Sequence, residues 1–307
     1  MNIIITMSKL LLAMILGFYL NKRKILTSDI NKKLSTMILE VTMPIVILCS
    51  AASMSGDDKS AVLFLLVAGL ILYSILPVVS LGIVKLLRLP KDCEGVYRCM
   101  FIFSNCSFMG YPVAEAFYGE SAILYMTIFN FGFNILFFTY GIYLIAKDAG
   151  ETKQFQPKQL LHPGTLAAIA ALILCFLNIS IPELVLEPLQ FVGNITMPLS
   201  MLVIGANMGD YPFDEIFKDK KMYIVTAIRL LILPAIMALI ISRFTDNIMV
   251  IGVTTLTMGM PVAASVAMGS GAYEKQGKVG SIGVAFSTIM SMITLPIIAI
   301  VIGFVFG

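Results

Sequence analysis

Tryptophan is absent from the 307 residues, and histidine occurs once, as His162. One imidazole excludes a histidine-based metal centre. Charge is scarce as well: Asp, Glu, Lys and Arg make up 13% of the chain, where a soluble domain carries about a quarter. The five cysteines (Cys49, Cys93, Cys99, Cys106 and Cys175) show no C-x-x-C spacing and mostly lie in apolar runs, as small buried hydrophobes do. No G-x-x-x-x-G-K-[ST] segment is present to cradle a nucleotide, and no H-E-x-x-H to hold zinc. Met268-Gly269-Ser270-Gly271 lacks the first glycine of a nucleophile elbow and has no histidine near it. Enzyme chemistry, a metal and a cofactor are therefore not expected. The net charge of +3 is too small to suggest a nucleic-acid partner.

What the chain has in abundance is apolar surface. The hydrophobic fraction is 59% and the mean hydropathy is +0.95, which excludes a soluble or a disordered protein. A helix needs about 20 apolar residues to cross a bilayer. Stretches of that kind run approximately over 3–20, 34–54, 61–87, 95–117, 121–146, 160–179, 185–208, 221–242, 247–272 and 279–306. The first starts without a basic leader before it and is read as a span, not a cleaved signal. Of the 21 Lys and Arg residues, all but Lys9, Lys59, Arg229 and Arg243 fall in the connections after spans 1, 3, 5, 7 and 9 or, as Lys85, Arg98 and Lys221 do, at the span ends beside them. That bias predicts those connections in the cytoplasm, both termini outside, and a multi-pass protein of the cell membrane.

The spans repeat. Val41-Thr42-Met43-Pro44 in span 2 matches Ile195-Thr196-Met197-Pro198 in span 7. Ile75-Leu76-Pro77 in span 3 matches Ile232-Leu233-Pro234 in span 8. Met109-Gly110-Tyr111-Pro112-Val113-Ala114 in span 4 matches Met258-Gly259-Met260-Pro261-Val262-Ala263 in span 9. Three matches in order, each built on proline, predict two five-helix repeats over 1–148 and 159–307. An odd number of spans per repeat makes the copies inverted, an arrangement common among secondary transporters.

Gly110-x-Pro112 and Gly259-x-Pro261 lie near the middle of spans 4 and 9. Proline lacks an N–H and clashes with the carbonyl four residues back, and glycine loosens the backbone. Freed backbone groups in hydrocarbon need protein, water or ligand as partners. Breaks at matching depths therefore predict a binding site, with the positive ends of half-helices favouring an anion. The bland alternative is a pair of packing kinks. Ser104, Asn105 and Ser107 before the first break, and Thr254, Thr255 and Thr257 before the second, can hold a carboxylate, a sodium ion or water.

The segment Asn105-Cys106-Ser107-Phe108-Met109-Gly110-Tyr111-Pro112 resembles the N-x-x-F-M-G-x-P crossover signature of the auxin efflux carrier family, which includes plant PIN-type carriers and bacterial malate or malonate permeases. The likeness continues through Met197-Pro198-Leu199 to Gly205-Ala206 and in the Pro261 segment; His162-Pro163 departs from the Asn-Pro common in such carriers. The resemblance implies ten helices with broken, crossing helices 4 and 9. It implies a scaffold of helices 1, 2, 6 and 7, often dimeric, and an elevator-like transport unit of helices 3–5 and 8–10. Asn105 and Thr254 stand where related sodium/proton antiporters usually place an aspartate.

Ionisable groups inside spans are functional by default. Glu40, four residues before Pro44, is either a proton site or a packed or ion-paired group. Arg229 either attracts an anion or serves structure by pairing or snorkelling. Glu115 follows Pro112 and either favours the half-helix end or faces an outer vestibule; Lys9 is placed near the outer interface. Asn130 and Asn134, one turn apart on span 5, either face the crossover or join helices. The expectation is an all-α carrier for a small organic anion such as a mono- or dicarboxylate. Substrate contacts are expected from Ser104, Asn105, Gly110, Pro112, Arg229, Thr254, Gly259 and Pro261, and ion coupling from Glu40, Asn130 or Asn134. The rival readings are a sodium-coupled symporter of the bile-acid type and a membrane sensor that binds without transporting.

Overall fold

The computed structural model describes residues 3–52, 59–151, 162–210, 216–271 and 273–306. Among them the regular elements are helices, and the one extended pairing is an antiparallel bridge between Ser104 and Val262. Six helical stretches, taken across short irregularities, are long and apolar enough to cross a bilayer: Ser28–Ala52, Lys59–Leu86, Ser121–Asp148, Glu183–Asp210, Lys220–Ile241 and Glu274–Val305. They leave large apolar side chains bare, among them Val78, Leu239 and Ile293 at 71%, 64% and 63% exposure. In water such surface drives aggregation; in lipid it is the solvated face. The molecule is an all-α, multi-pass membrane protein.

The other expected spans take different forms. Ile3–Lys22 is a helix of 20 residues, and Pro163–Leu177 has only 15. Expected spans 4 and 9 are each interrupted. Glu94–Ile102 stops before an extended stretch and the helix resumes at Cys106; Ile248–Gly259 stops likewise and resumes as Ala264–Ser270.

Proline shapes the long helices in a recurring way. Of the four widened π turns among the described residues, three, Ile38–Thr42, Cys106–Gly110 and Ile228–Ile232, each end two residues before a proline (Pro44, Pro112 and Pro234), while Phe137–Gly141 does not. The carbonyl four residues before each proline (of Glu40, Phe108 and Leu230) lies inside the wide turn. The extra residue there relieves the ring clash and lets the helix run on. Here the structure corrects the sequence reading: Gly110 and Pro112 do not break span 4. Gly110 closes a π turn and Pro112 sits in the first turn of Tyr111–Tyr118.

The chain divides into two compact units. The first comprises 1–66, 106–129 and 161–210, the second 67–105, 130–160 and 211–307. In the first, Ile3–Lys22 packs on Thr196–Asp210 through glycine. A Cβ on Gly17 would lie 2.1 Å from the Leu202 carbonyl oxygen, and one on Gly205 would lie 1.9 Å from that of Met14. Only a bare Cα permits this backbone approach, the small-residue packing of membrane helices. Buried Asn31 fastens the same region, donating to Val203 O at 3.2 Å and Asn207 Oδ1 at 2.7 Å.

In the second unit, Asp148 at the end of its helix caps the start of Glu94–Ile102. Its carboxylate accepts from Gly95 N at 2.7 Å and Val96 N at 3.2 Å, satisfying two N–H groups that a helix start leaves open. Gln276, 7% exposed, donates to the carbonyls of Asp92 at 3.0 Å and Asp148 at 3.2 Å, so three helix ends share one knot.

Candidate functional site

The two interruptions in the second unit are hydrogen-bonded to one another. Phe103, Ser104 and Asn105 run extended beside Pro261, Val262 and Ala263. Ala263 N donates to Phe103 O at 3.0 Å, and Asn105 N donates to Pro261 O at 2.9 Å. Each break thus supplies the partners that the other lost by leaving the helix. The remaining N–H of Val262 donates to Ser287 Oγ, 3.0 Å away on Glu274–Val305. Ser287 was not visible as a site residue from sequence, because a lone serine in an apolar helix carries no pattern.

Asn105 therefore lies in the break itself, not ahead of it as the Gly-x-Pro spacing suggested. It is 5% exposed, with its backbone engaged and its side-chain amide outside the backbone pairing. Ser104 is 2% exposed.

Arg229 comes to the same place. It is fully buried, on the π turn Ile228–Ile232, and its guanidinium donates to Phe101 O at 2.9 Å and to Ser104 Oγ. Phe101 belongs to the last turn of Glu94–Ile102, where carbonyls lack helical partners and the dipole is negative. Arg229 thus caps a half-helix from its own unit, and its fixed charge remains beside the break because a guanidinium stays protonated. Of the two sequence readings, structural pairing is the one the contacts display.

The second break is built more tightly. Thr254 is fully buried, its hydroxyl spent on its own helix at Val250 O, 2.8 Å, and Ile251 O, 3.1 Å. Gly259 ends its helix against Ile298 and Pro234; a Cβ there would lie 2.8 Å from Ile298 Cδ1. A side chain there would need the Ile298 tip to shift. Phe103 is held from one side by Phe133 and Phe137, edge-to-face at 5.2 and 5.0 Å between ring centroids.

The expected coupling residues do not gather here. Asn130, 8% exposed, accepts a hydrogen bond from the Tyr73 hydroxyl, which joins two helices of the second unit. The Asn134 side chain lies outside the described residues. Glu40 is exposed at the surface of the first unit, in its π turn, and is not a packed group.

The first unit holds a cavity of about 390 Å³, within the size range of small-ligand sites. Glu115, Glu120, Gln190, Asn194 and Cys49 give it polar character, and Val46, Ile123, Met197 and Pro198 wall it. Gln190 Nε2 donates to Glu120 Oε1 over a long 3.4 Å. Among the described residues no Lys, Arg or His lines it. The helix Glu183–Asp210 is itself interrupted beside the cavity, between Gly193 and Thr196. Sequence reasoning noted Glu115 but passed over Glu120 and Gln190, since residues from separate helices meet here without a common spacing. Among the described residues no cluster of three metal-ligating side chains occurs.

Residues 2–299 match the family described as "Membrane transport protein". A transporter of Methanothermobacter thermautotrophicus, itself uncharacterized, is 21% identical over 298 residues, covering 96% of this chain and 97% of that one. Another uncharacterized transporter, from Methanocaldococcus jannaschii, is 23% identical over 208 residues, 64% of this chain and 66% of that protein.

Proposed function

The chain belongs to the membrane transport protein family, and on that premise we propose that it is a secondary carrier for a small organic anion, such as a mono- or dicarboxylate. The observation that carries this reading is the buried Arg229 guanidinium beside two helix interruptions that satisfy each other. A permanent positive charge in a low-dielectric interior attracts an anion strongly. Asn105, in the break, offers a neutral amide whose N–H groups suit a carboxylate. The positive start of Ala264–Ser270 follows the second break.

The proposed architecture is that of the auxin efflux carrier type: ten spans in two inverted repeats over 1–148 and 159–307, with spans 4 and 9 as the crossing pair and elevator-like movement. The matched proline segments support it. So does the position of irregular backbone in spans 2 and 7, where Ile38–Thr42 and the turn at Asn194–Ile195 precede the paired Met43-Pro44 and Met197-Pro198.

Counterflow of labelled malate in proteoliposomes, repeated with and without sodium and across pH, tests the reading. Uptake against an inside excess of unlabelled malate is expected, and Asn105→Ala should weaken it. Malate binding without counterflow would make the protein a sensor. Failure of a panel of mono- and dicarboxylates to shift the thermal midpoint would overturn the anion assignment.

A further inference from the structure

The first unit's cavity has a charge pattern opposite to that of the helix breaks. Among the described residues its ionisable lining is two carboxylates and a thiol, Glu115, Glu120 and Cys49, and its other polar lining is the amides of Gln190 and Asn194. Glu115 lies on Tyr111–Tyr118 and Glu120 on the turn just before Ser121–Phe129, both partly buried. Met43–Ala52 contributes Cys49 and Glu183–Gly193 contributes neutral Gln190; Ile3–Lys22, which also packs on Tyr111–Tyr118, carries exposed Lys9, and among the described residues no basic group is in the lining.

Two carboxylates facing one confined volume repel each other, and partial desolvation adds to the cost. Gln190 offsets part of it with one long hydrogen bond to Glu120. A cation between the carboxylates would remove the repulsion. The available donors are carboxylate and amide oxygens, the hard ligands that alkali and alkaline-earth ions prefer. A volume of about 390 Å³ leaves room for an ion that keeps part of its water shell.

We propose that this cavity is the coupling-cation site of the carrier, where Glu115 and Glu120 together take up one monovalent cation. The assignment rests on the carrier reading above but concerns a different set of residues. It moves ion coupling away from Glu40, Asn130 and Asn134. Sodium and the proton share the required chemistry, a single positive charge accepted by carboxylate oxygen, and the test separates them.

The full chain, purified in detergent, is melted in NaCl and in KCl at equal ionic strength, over a pH series. Sodium coupling predicts a midpoint raised by Na⁺ over K⁺. Proton coupling predicts no difference between the salts but an infrared band of protonated carboxyl that titrates with pH. In either arm Glu115→Gln and Glu120→Gln should weaken the response at least about tenfold, the scale of one lost charge-assisted contact. Glu183→Gln, which removes one exposed negative charge elsewhere in the same unit, should leave it intact. If a glutamate variant fails to fold, Gln190→Ala keeps both charges, removes an oxygen ligand and should still weaken the response. Wild-type protein indifferent to both ions, or glutamate variants that respond like wild type, would overturn the proposal. Because ion binding is read without substrate, malate counterflow fails or succeeds independently of it.

Discussion

The helix breaks of the second unit and the cavity of the first treat buried polarity in opposite ways. At the breaks, polar groups are answered by the protein: Arg229 by Phe101 O and Ser104, Val262 N by Ser287, Thr254 by its own helix. In the cavity, Glu115 and Glu120 face open volume, with one long hydrogen bond from Gln190 to Glu120. Groups that answer one another hold a geometry, because each member lost leaves others unsatisfied. Groups that face space can exchange partners during a cycle. We propose framework for most of the first region and exchange for the second, with the Asn105 amide, which lies outside the backbone pairing, as the ligand contact of the first.

The strongest way to break that comparison is Arg229→Ala. If Arg229 is framework, its removal empties a buried volume and strands the Phe101 carbonyl and the Ser104 hydroxyl. Truncating a buried, hydrogen-bonded charge costs about 3 kcal/mol or more. The expected outcome is a large drop in the thermal midpoint or loss of a monodisperse elution peak, with Arg229→Lys intermediate because an ammonium cannot reach both acceptors as a fork does. A variant that melts like wild type but no longer responds to carboxylates would move Arg229 from framework to ligand contact.

The sequence makes some of this legible. The apolar runs, the proline matches and the polar residues ahead of them point to spans 4 and 9, and the structure interrupts both. It misleads about where span 4 opens. Proline is the visible breaker, yet at Pro112, as at Pro44 and Pro234, a π turn absorbs it. The actual opening at Phe103–Asn105 is fixed by its pairing with Pro261–Ala263, a contact between residues about 158 apart that no local pattern encodes. Ser287 and Gln190 were illegible for the same reason. Arg229 was visible as an expensive residue, but only its partners distinguish a cap from a ligand.

Next in size is Asn105→Ala. Its backbone pairing to Pro261 survives truncation, so the fold should persist with a wild-type elution profile and midpoint. Losing one hydrogen bond to a charged ligand costs roughly 1.5–3 kcal/mol, or about 10- to 150-fold in affinity, measured by direct carboxylate binding. Asn105→Asp should weaken an anion further, since it adds a like charge. A lower midpoint with binding intact would place Asn105 with the framework after all. Ser287→Ala is expected to be smaller. It strips a buried N–H of its acceptor and should lower stability by about 1–3 kcal/mol without altering the ion response of the cavity.

The smallest effect is expected at the Asp92–Lys275 ion pair of the second unit, where the side chains are 48% and 66% exposed. The Lys275 ammonium, hydrogen-bonded to it, holds the Asp92 carboxyl below the usual carboxylate range. A depressed carboxyl contributes stability above its unfolded value and loses it as pH falls through the folded one, so any contribution exists at neutral pH and fades in acid. Water and salt screen such exposed pairs until little remains. Lys275→Ala should therefore leave the midpoint unchanged within error at neutral pH, in low and high salt. The neighbouring Gln276→Ala should lower it, because that amide is buried and joins the Asp92 and Asp148 carbonyls. If the lysine variant fell further than the glutamine variant, charge at this edge would outweigh buried hydrogen bonding, and the division into framework and exchangeable charge would need to include it.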